Sequence, residues 1–91
     1  MSYAIRFTPK ADKSINKWKK SNPVLYNKFL KLLAEISAHP RTGTGHPEPL
    51  KGGDNITYSR RITAHDRIIY DIYDDIVVVL VVAVEGHYSD K

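Results

Sequence analysis

Two stripes of apolar residues in the first half of the chain have the 3.6-residue period of amphipathic helices. They consist of Ala11, Ile15 and Trp18, and of Leu25, Phe29, Leu32 and Ile36. Each stripe follows a capping residue and a proline, Thr8-Pro9 and Asn22-Pro23, a pair typical of a helix start. The second helix is predicted to end at His39-Pro40, because a residue before proline disfavours the α region. We therefore predict two antiparallel helices with a tight turn at Ser21-Asn22.

Strand patterns occupy the start and the last third of the chain. Segments that alternate apolar and polar residues, or are rich in β-branched residues, predict strands at 3–7, 56–62, 67–73 and 76–84. The order β-α-α-β-β-β predicts an α+β fold, in which a twisted, mainly antiparallel sheet carries both helices on one face. The opposite face of the sheet, called the open face below, is then available for a site.

Residues 40–55 differ in composition from the rest of the chain, since they include three prolines and four glycines. This composition predicts a long loop. Loops of this length inside a compact domain are usually functional or disordered. Glu48 lies between Pro47 and Pro49, which bias it to an extended conformation. A carboxylate held in this way loses little entropy when it meets a substrate, although a surface glutamate in a proline-rich turn has the same pattern.

Length and composition limit the classes of protein to which this chain can belong. Ninety-one residues suit one domain, 1–91, since domains typically run to about 50–200 residues. The absence of cysteine excludes disulfides, thiolate nucleophiles and cysteine-ligated zinc, and the four histidines lack metal-ligand spacing, so neither metal nor cofactor is expected.

The chain begins without an apolar leader, and its longest apolar run, 76–84, is shorter than the about 18–20 residues of a membrane helix. We expect a cytoplasmic protein with no membrane association.

The charge is unevenly distributed along the chain. The net charge is +4, but residues 1–51 carry ten Lys and Arg against three Asp and Glu, and residues 52–91 carry four against seven. The first part is therefore +7 and the second −3. A basic half of this kind favours an anionic partner, either a nucleic acid or an acidic protein segment.

Three arginines lie on the predicted strand pair after the loop. Side chains alternate between the faces of a strand, so Arg60 is predicted on the helix side and Arg61 on the open face with Ser59. Arg67 begins the next strand, whose apolar side chains occupy the other side, and we expect it to share the open face. Two guanidinium groups there suit bidentate binding of a phosphate. The alternative is that they form ion pairs with the aspartates of the hairpin.

His87 follows the last strand and is the natural general acid near neutral pH, unless it is an ordinary surface residue. With Glu48 as a base and arginines and lysines on a phosphate, these residues form the set that a metal-free ribonuclease needs. RNA supplies its own nucleophile, the 2′-hydroxyl group, so that neither cysteine nor a metal is required.

Four segments together resemble the YoeB/Txe toxins of the RelE superfamily. They are GHPEPLK at 45–51, YSRRIT at 58–63, RIIY at 67–70 and GHY at 86–88. The resemblance covers nearly the whole chain and implies a RelE-like fold, similar to that of compact microbial ribonucleases. It also implies the toxin of a type II toxin–antitoxin pair, a ribosome-dependent endoribonuclease that cleaves mRNA in the A site. The partners it implies are mRNA on the ribosome, a YefM/Phd-type antitoxin and a second copy of the chain.

The resemblance also implies roles for individual residues. Glu48 matches the family's general base, His87 its general acid and Arg67 its phosphate-stabilising arginine. The supporting positions around the scissile phosphate and base are Lys51, Arg61 and Tyr88. The chain departs from the family where Asp66 stands directly before Arg67, where Tyr58 replaces a usual tryptophan, and in the residues 89–91 after the His-Tyr pair.

Other functions remain open on the residues alone. A ParE-like toxin has a similar architecture but acts on DNA gyrase by binding, without the joint Glu, Arg and His-Tyr set. A plain RNA-binding module using the lysine-rich helices, or a degenerate toxin that assists an antitoxin in repression, would not depend on Glu48 and His87. Loss of activity on replacing these two residues therefore distinguishes the nuclease from the binding proteins.

Overall fold

The computed structural model describes residues 2–50 and 55–86, which form two helices and a five-stranded sheet. The elements in chain order are β1 (Ala4–Phe7), α1 (Pro9–Ser21), α2 (Pro23–Ala38), β2 (Glu48–Pro49), β3 (Thr57–Arg61), β4 (Asp66–Tyr73) and β5 (Val78–Gly86). The strands are arranged in the order β1-β5-β4-β3-β2. The predicted α+β architecture is confirmed.

Both helices begin and end where the local sequence signals predict. The Thr8 side chain accepts a hydrogen bond from the Ala11 amide at 3.1 Å, and Asn22 accepts one from the Leu25 amide at 3.3 Å. The Asn22 amide also donates to the Trp18 carbonyl, which ends α1. One residue thus caps both helices, so the turn between them is short and the helices run back along each other.

The sheet is mixed, with β1 parallel to β5 and every other neighbouring pair antiparallel. It contains one strand more than the predicted order, because β2 forms within the predicted loop 40–55. A strand of two residues is too short to show an alternation of apolar and polar side chains. Pro49 also lacks an amide hydrogen, which confines it to the edge of a sheet. The last strand was predicted two residues too early, at 76–84, because Val77 adopts a left-handed φ of 56° that prolongs the turn.

The core lies between the helices and one face of the sheet. The helices contribute Ala11, Ile15, Phe29, Leu32 and Ile36, and the strands contribute Tyr58, Ile68, Tyr70, Ile72, Val79, Val81 and Val84. Both predicted apolar stripes therefore pack on a single face of the sheet, as expected. The opposite, open face of β2, β3 and β4 carries the polar residues considered next. No helix in the described residues is long and apolar enough to cross a membrane.

Candidate active site

Glu48 lies at the edge of the sheet, on the open face. In the β2–β3 pair Glu48 is directly opposite Ser59. Tyr58 and Arg60, the two neighbours of Ser59, are buried on the helix side. Because side chains alternate along a strand, Ser59 and Glu48 point to the other side. The short strand β2 therefore places the candidate base, which sequence reasoning could only assign to a loop.

Arg61 and Arg67 stand directly opposite each other in the β3–β4 pair. This row lies two residues along from Ser59, so both arginines are on the open face, which is the placement that the alternation predicts. Two guanidinium groups in one row of the sheet suit the bidentate binding of an anion. Glu85 of β5 continues the row on the other side of Arg67.

Glu48, Arg61 and Arg67 line one pocket of about 250 Å³. The structure thus brings together the three candidate residues that it describes. Two histidines, His46 and His65, line the same pocket, and sequence reasoning gave neither a role. Their positions in the sequence could have indicated a role, since His46 lies two residues before Glu48 and His65 two residues before Arg67.

The turn after β3 is held by Thr63. Its hydroxyl donates to the Asp66 carboxylate at 2.7 Å and accepts from the amides of His65 and Asp66, each at 3.1 Å. This self-contained turn positions the start of β4, and with it Arg67. Asp66, one of the positions at which the chain departs from the pattern of the family it resembles, therefore has a structural partner in the turn.

A fully buried arginine anchors the loop that leads to Glu48. The Arg60 guanidinium donates to the carbonyls of His39 and Thr42 at 2.9 and 2.8 Å, to the Glu35 carboxylate at 3.1 Å and to the Tyr70 hydroxyl at 3.2 Å. All of its side chain lies in the interior. Arg60 thereby connects the end of α2, the start of the loop and β4 behind the pocket.

Thr44 and Arg60 stabilise the ionised form of the Glu35 carboxyl. The Thr44 hydroxyl and amide donate to the Glu35 carboxylate at 2.6 and 3.0 Å. These hydrogen bonds, together with the Arg60 charge, hold the pKa of the Glu35 carboxyl below its usual range. The Glu35–Arg60 pair is therefore part of the support for the loop.

Gly45 allows the loop to approach β3 closely. The Arg61 amide donates to the Gly45 carbonyl at 2.7 Å. A Cβ atom at this position would lie 2.5 Å from the Arg61 carbonyl oxygen, and the φ of Gly45 is +86°. Only glycine fits both conditions without strain. This contact fixes the backbone three residues before Glu48.

Two of the aspartates considered as alternative partners for the arginines, Asp71 and Asp74, form hydrogen bonds or ion pairs with other groups. Asp71 accepts from the Thr57 hydroxyl at 2.7 Å. Asp74 forms a two-pronged ion pair with Arg41 at 3.0 and 2.9 Å, whose hydrogen bonds hold the pKa of the Asp74 carboxyl below its usual range. Arg41, which the sequence did not single out, ties the loop to the β4–β5 turn in this way.

Lys51, His87 and Tyr88 lie outside the described residues, and their roles remain predictions. The described part of β5 ends at Gly86, which pairs with Asp66, a residue of the pocket wall. Within 2–50 and 55–86, no group of three His, Asp or Glu side chains is arranged to hold a metal ion.

The described pocket can bind an anion and accept a proton. Arg61 and Arg67 offer guanidinium donors suited to the oxygens of a phosphate. Glu48, exposed in the same pocket, is a carboxylate that can take a proton from a hydroxyl beside that phosphate. A base and phosphate-binding groups in one pocket are two components that the attack of a hydroxyl group on a phosphodiester requires.

The family model that matches residues 7–88 describes a "YoeB-like toxin of bacterial type II toxin-antitoxin system". The chain is 34% identical over 76 residues to a protein named Toxin YoeB from Streptomyces coelicolor, covering 84% of this chain and 90% of that protein.

Solved structures show the same fold. A YoeB/ParE toxin from Agrobacterium tumefaciens superposes with a TM-score of 0.83 at 28% identity, covering 93% of this chain and 99% of the other. YoeB from Staphylococcus aureus superposes as a dimer with a TM-score of 0.81 at 27% identity, and in its complex with YefM with 0.79 at 28%. In both cases 97% of this chain and the whole of the other chain are covered.

Proposed function

This chain belongs to the YoeB-like toxins of bacterial type II toxin–antitoxin systems, and on that basis we propose that it cleaves mRNA in the A site of the ribosome. The observation that carries the proposal is the facing pair Arg61 and Arg67 with Glu48 in the same pocket. A toxin that acts by binding alone has no need of a carboxylate beside two phosphate-binding groups. The site of action is then the cytoplasm, where ribosomes translate.

Cleavage proceeds by transfer of the phosphate within the RNA. Glu48 removes the proton of the 2′-hydroxyl group, and the 2′-oxygen attacks the adjacent phosphorus as the bond to the 5′-oxygen breaks. Arg61 and Arg67 bind the non-bridging oxygens, on which negative charge builds in the transition state. His87 protonates the leaving 5′-oxygen, and Lys51 and Tyr88 support the phosphate and the base. The roles of these last three residues rest on the family resemblance.

The products test this mechanism. We expect fragments that end in a 2′,3′-cyclic phosphate and begin with a 5′-hydroxyl group, because the nucleophile belongs to the RNA. Protein treated with EDTA and then desalted should cut mRNA on intact ribosomes at the untreated rate. Fragments with 5′-phosphate ends, or cleavage that returns only when a metal is added back to the treated protein, would contradict the mechanism.

The proposed partner is an antitoxin of the YefM/Phd type, and the chain is proposed to form a homodimer. The support is that Staphylococcus aureus YoeB has been solved with YefM and as a dimer. An acidic antitoxin segment can mimic the RNA backbone and cover Arg61, Arg67 and the lysine-bearing surface of the +7 segment. Inhibition then follows from occupation of the phosphate-binding groups.

Antitoxin affinity should depend on Arg67 and on salt. Arg67→Ala is expected to weaken the affinity about tenfold, and raising the salt concentration should weaken wild-type binding, since the contact is between opposite charges. Arg6→Ala is the matched control, because Arg6 is an exposed arginine of β1, at the other edge of the sheet. Titration calorimetry at two salt concentrations measures both effects. Equal affinities of the two variants and no salt dependence would count against this binding mode.

A further inference from the structure

A second pocket, of about 400 Å³, adjoins the candidate active site between α2 and the end of β3. Arg61, Thr63 and Ala64 line both pockets. The cavity that holds the proposed scissile phosphate therefore continues past Arg61 towards α2. Neither the sequence patterns nor the proposed chemistry uses this second cavity.

The second pocket is positively charged. Lys28 and Lys31 are exposed on α2 and line it together with Arg61. Residues three apart on a helix have Cβ atoms about 5–6 Å apart, so the two lysines repel each other unless an anion lies between them. Glu35 is the acidic residue of the described lining, and its carboxylate is bound by Arg60 and Thr44. The lining thus carries three cations against one carboxylate that is already paired.

The floor of the pocket is apolar. Leu32 is buried and Ile62 is half-buried, and both line the cavity. The hydrocarbon stems of Lys28 and Lys31 can extend this surface while their ammonium groups stay in water. A cavity of this size is in the range of about 300–1,000 Å³ that holds small ligands. Apolar surface beneath cationic groups suits a nucleotide, whose ribose and base pack while its phosphate meets the lysines.

We propose that this second pocket is a subsite for the nucleotide of the message next to the scissile phosphate, with Lys28 and Lys31 binding its phosphate group. The inference rests on the proposed function, because it takes the neighbouring pocket to hold RNA. Arg61 then contacts the RNA at the junction of the two pockets. Continuity with the candidate active site favours the message over ribosomal RNA or an acidic peptide as the occupant.

The test measures RNA binding without cleavage. The Glu48→Gln variant is titrated with a short single-stranded RNA carrying 2′-O-methyl groups, which cannot be cut, over a series of salt concentrations. Each phosphate contact in single strands contributes about 0.7 to the slope of log affinity against log salt. Adding Lys28→Gln and Lys31→Gln should reduce the slope by about 0.7, because both lysines bind the same phosphate and that one contact is lost.

The chain offers a matched control in Lys10 and Lys13. They have the same spacing, are exposed on α1 and line neither pocket. Lys10→Gln with Lys13→Gln should leave the slope for the short RNA unchanged. A variant that keeps Glu48 and carries only Lys28→Gln and Lys31→Gln should also cut ribosome-bound message with a higher KM than the wild-type protein.

Three outcomes would overturn the subsite. The first is an equal slope for the two double variants. The second is a loss of ribosome affinity with unchanged binding of the short RNA, which would assign the lysines to ribosomal RNA. The third is a loss of antitoxin affinity alone, which would assign them to an acidic peptide. A different result would refute the proposed function itself, namely the absence of mRNA cleavage by the wild-type protein.

Discussion

Glu48→Gln should lower the rate of mRNA cleavage on the ribosome by about 10²–10⁴-fold, the usual effect of losing a general base. Glutamine keeps the shape of the side chain and removes the oxygen that takes the 2′-hydroxyl proton. Glu48 is exposed at the sheet edge, so the thermal unfolding midpoint should stay within a few degrees of the wild-type value. Single-turnover cleavage and a thermal melt measure the two quantities.

The control for this variant is Asp75→Asn, which removes one exposed carboxylate in the turn before β5. It has the same change in net charge and should cut at the wild-type rate. Full toxicity of a well-folded Glu48→Gln variant would refute the base assignment. It would also favour the alternatives in which the chain acts by binding, either to gyrase or to RNA, since neither needs the carboxylate.

Arg60→Met should lower the free energy of unfolding by about 3 kcal/mol, because several groups bonded to a fully buried guanidinium lose their donor, and hydrogen bonds to a charged group contribute about 1.5–3 kcal/mol each. Methionine fills part of the space but donates no hydrogen bonds. The carbonyls of His39 and Thr42 lose their donor, and Glu35 loses its ion-pair partner. Small domains are stable by only about 5–15 kcal/mol, so this is a large fraction of the total.

Urea unfolding compares this variant with Arg61→Met, the same substitution one residue along β3. Arg61 is exposed, so its loss should change stability by no more than about 0.5 kcal/mol. Should Arg60→Met fail to fold, Glu35→Gln keeps the side chain and one acceptor oxygen, and its smaller loss of stability still tests the network. Equal unfolding midpoints for the Arg60 and Arg61 variants would show that Arg60 does not anchor the loop.

The comparison of these two arginines shows what alternation can predict. Adjacent residues of a strand face opposite sides, so the sequence alone separated Arg60 from Arg61 correctly. It did not indicate that Arg60 meets Glu35 and the carbonyls of the loop, which lie 18 to 25 positions earlier in the chain. Contacts of that kind depend on how the helices sit on the sheet, and no local pattern encodes them.

The candidate site was predicted in part. Glu48 was identified from its two flanking prolines and from the family resemblance, but its place on the open face depends on the pairing of β2 with β3. The facing of Arg61 and Arg67 likewise depends on the register of the hairpin. His46 and His65 were missed, because a side chain acquires its neighbours in a pocket only when the strands pair.

The sequence by itself determined the elements whose signals are local. These are the two helices with their caps at Thr8 and Asn22, the end of α2 before Pro40, and the alternation that assigns faces on β3 and β4. The period of the apolar residues and the capping of helix ends depend on residues that are close in the sequence. They can therefore be identified from the sequence alone.

The tertiary structure decided the rest. The parallel pairing of β1 with β5, the short strand β2 and the irregularity between Ile69 and Tyr70 involve partners far apart in the sequence. So does the pocket that collects Glu48, Arg61 and Arg67. Their free energy comes from burial and hydrogen bonds that exist only once the sheet has assembled, which is why the chain pattern does not reveal them.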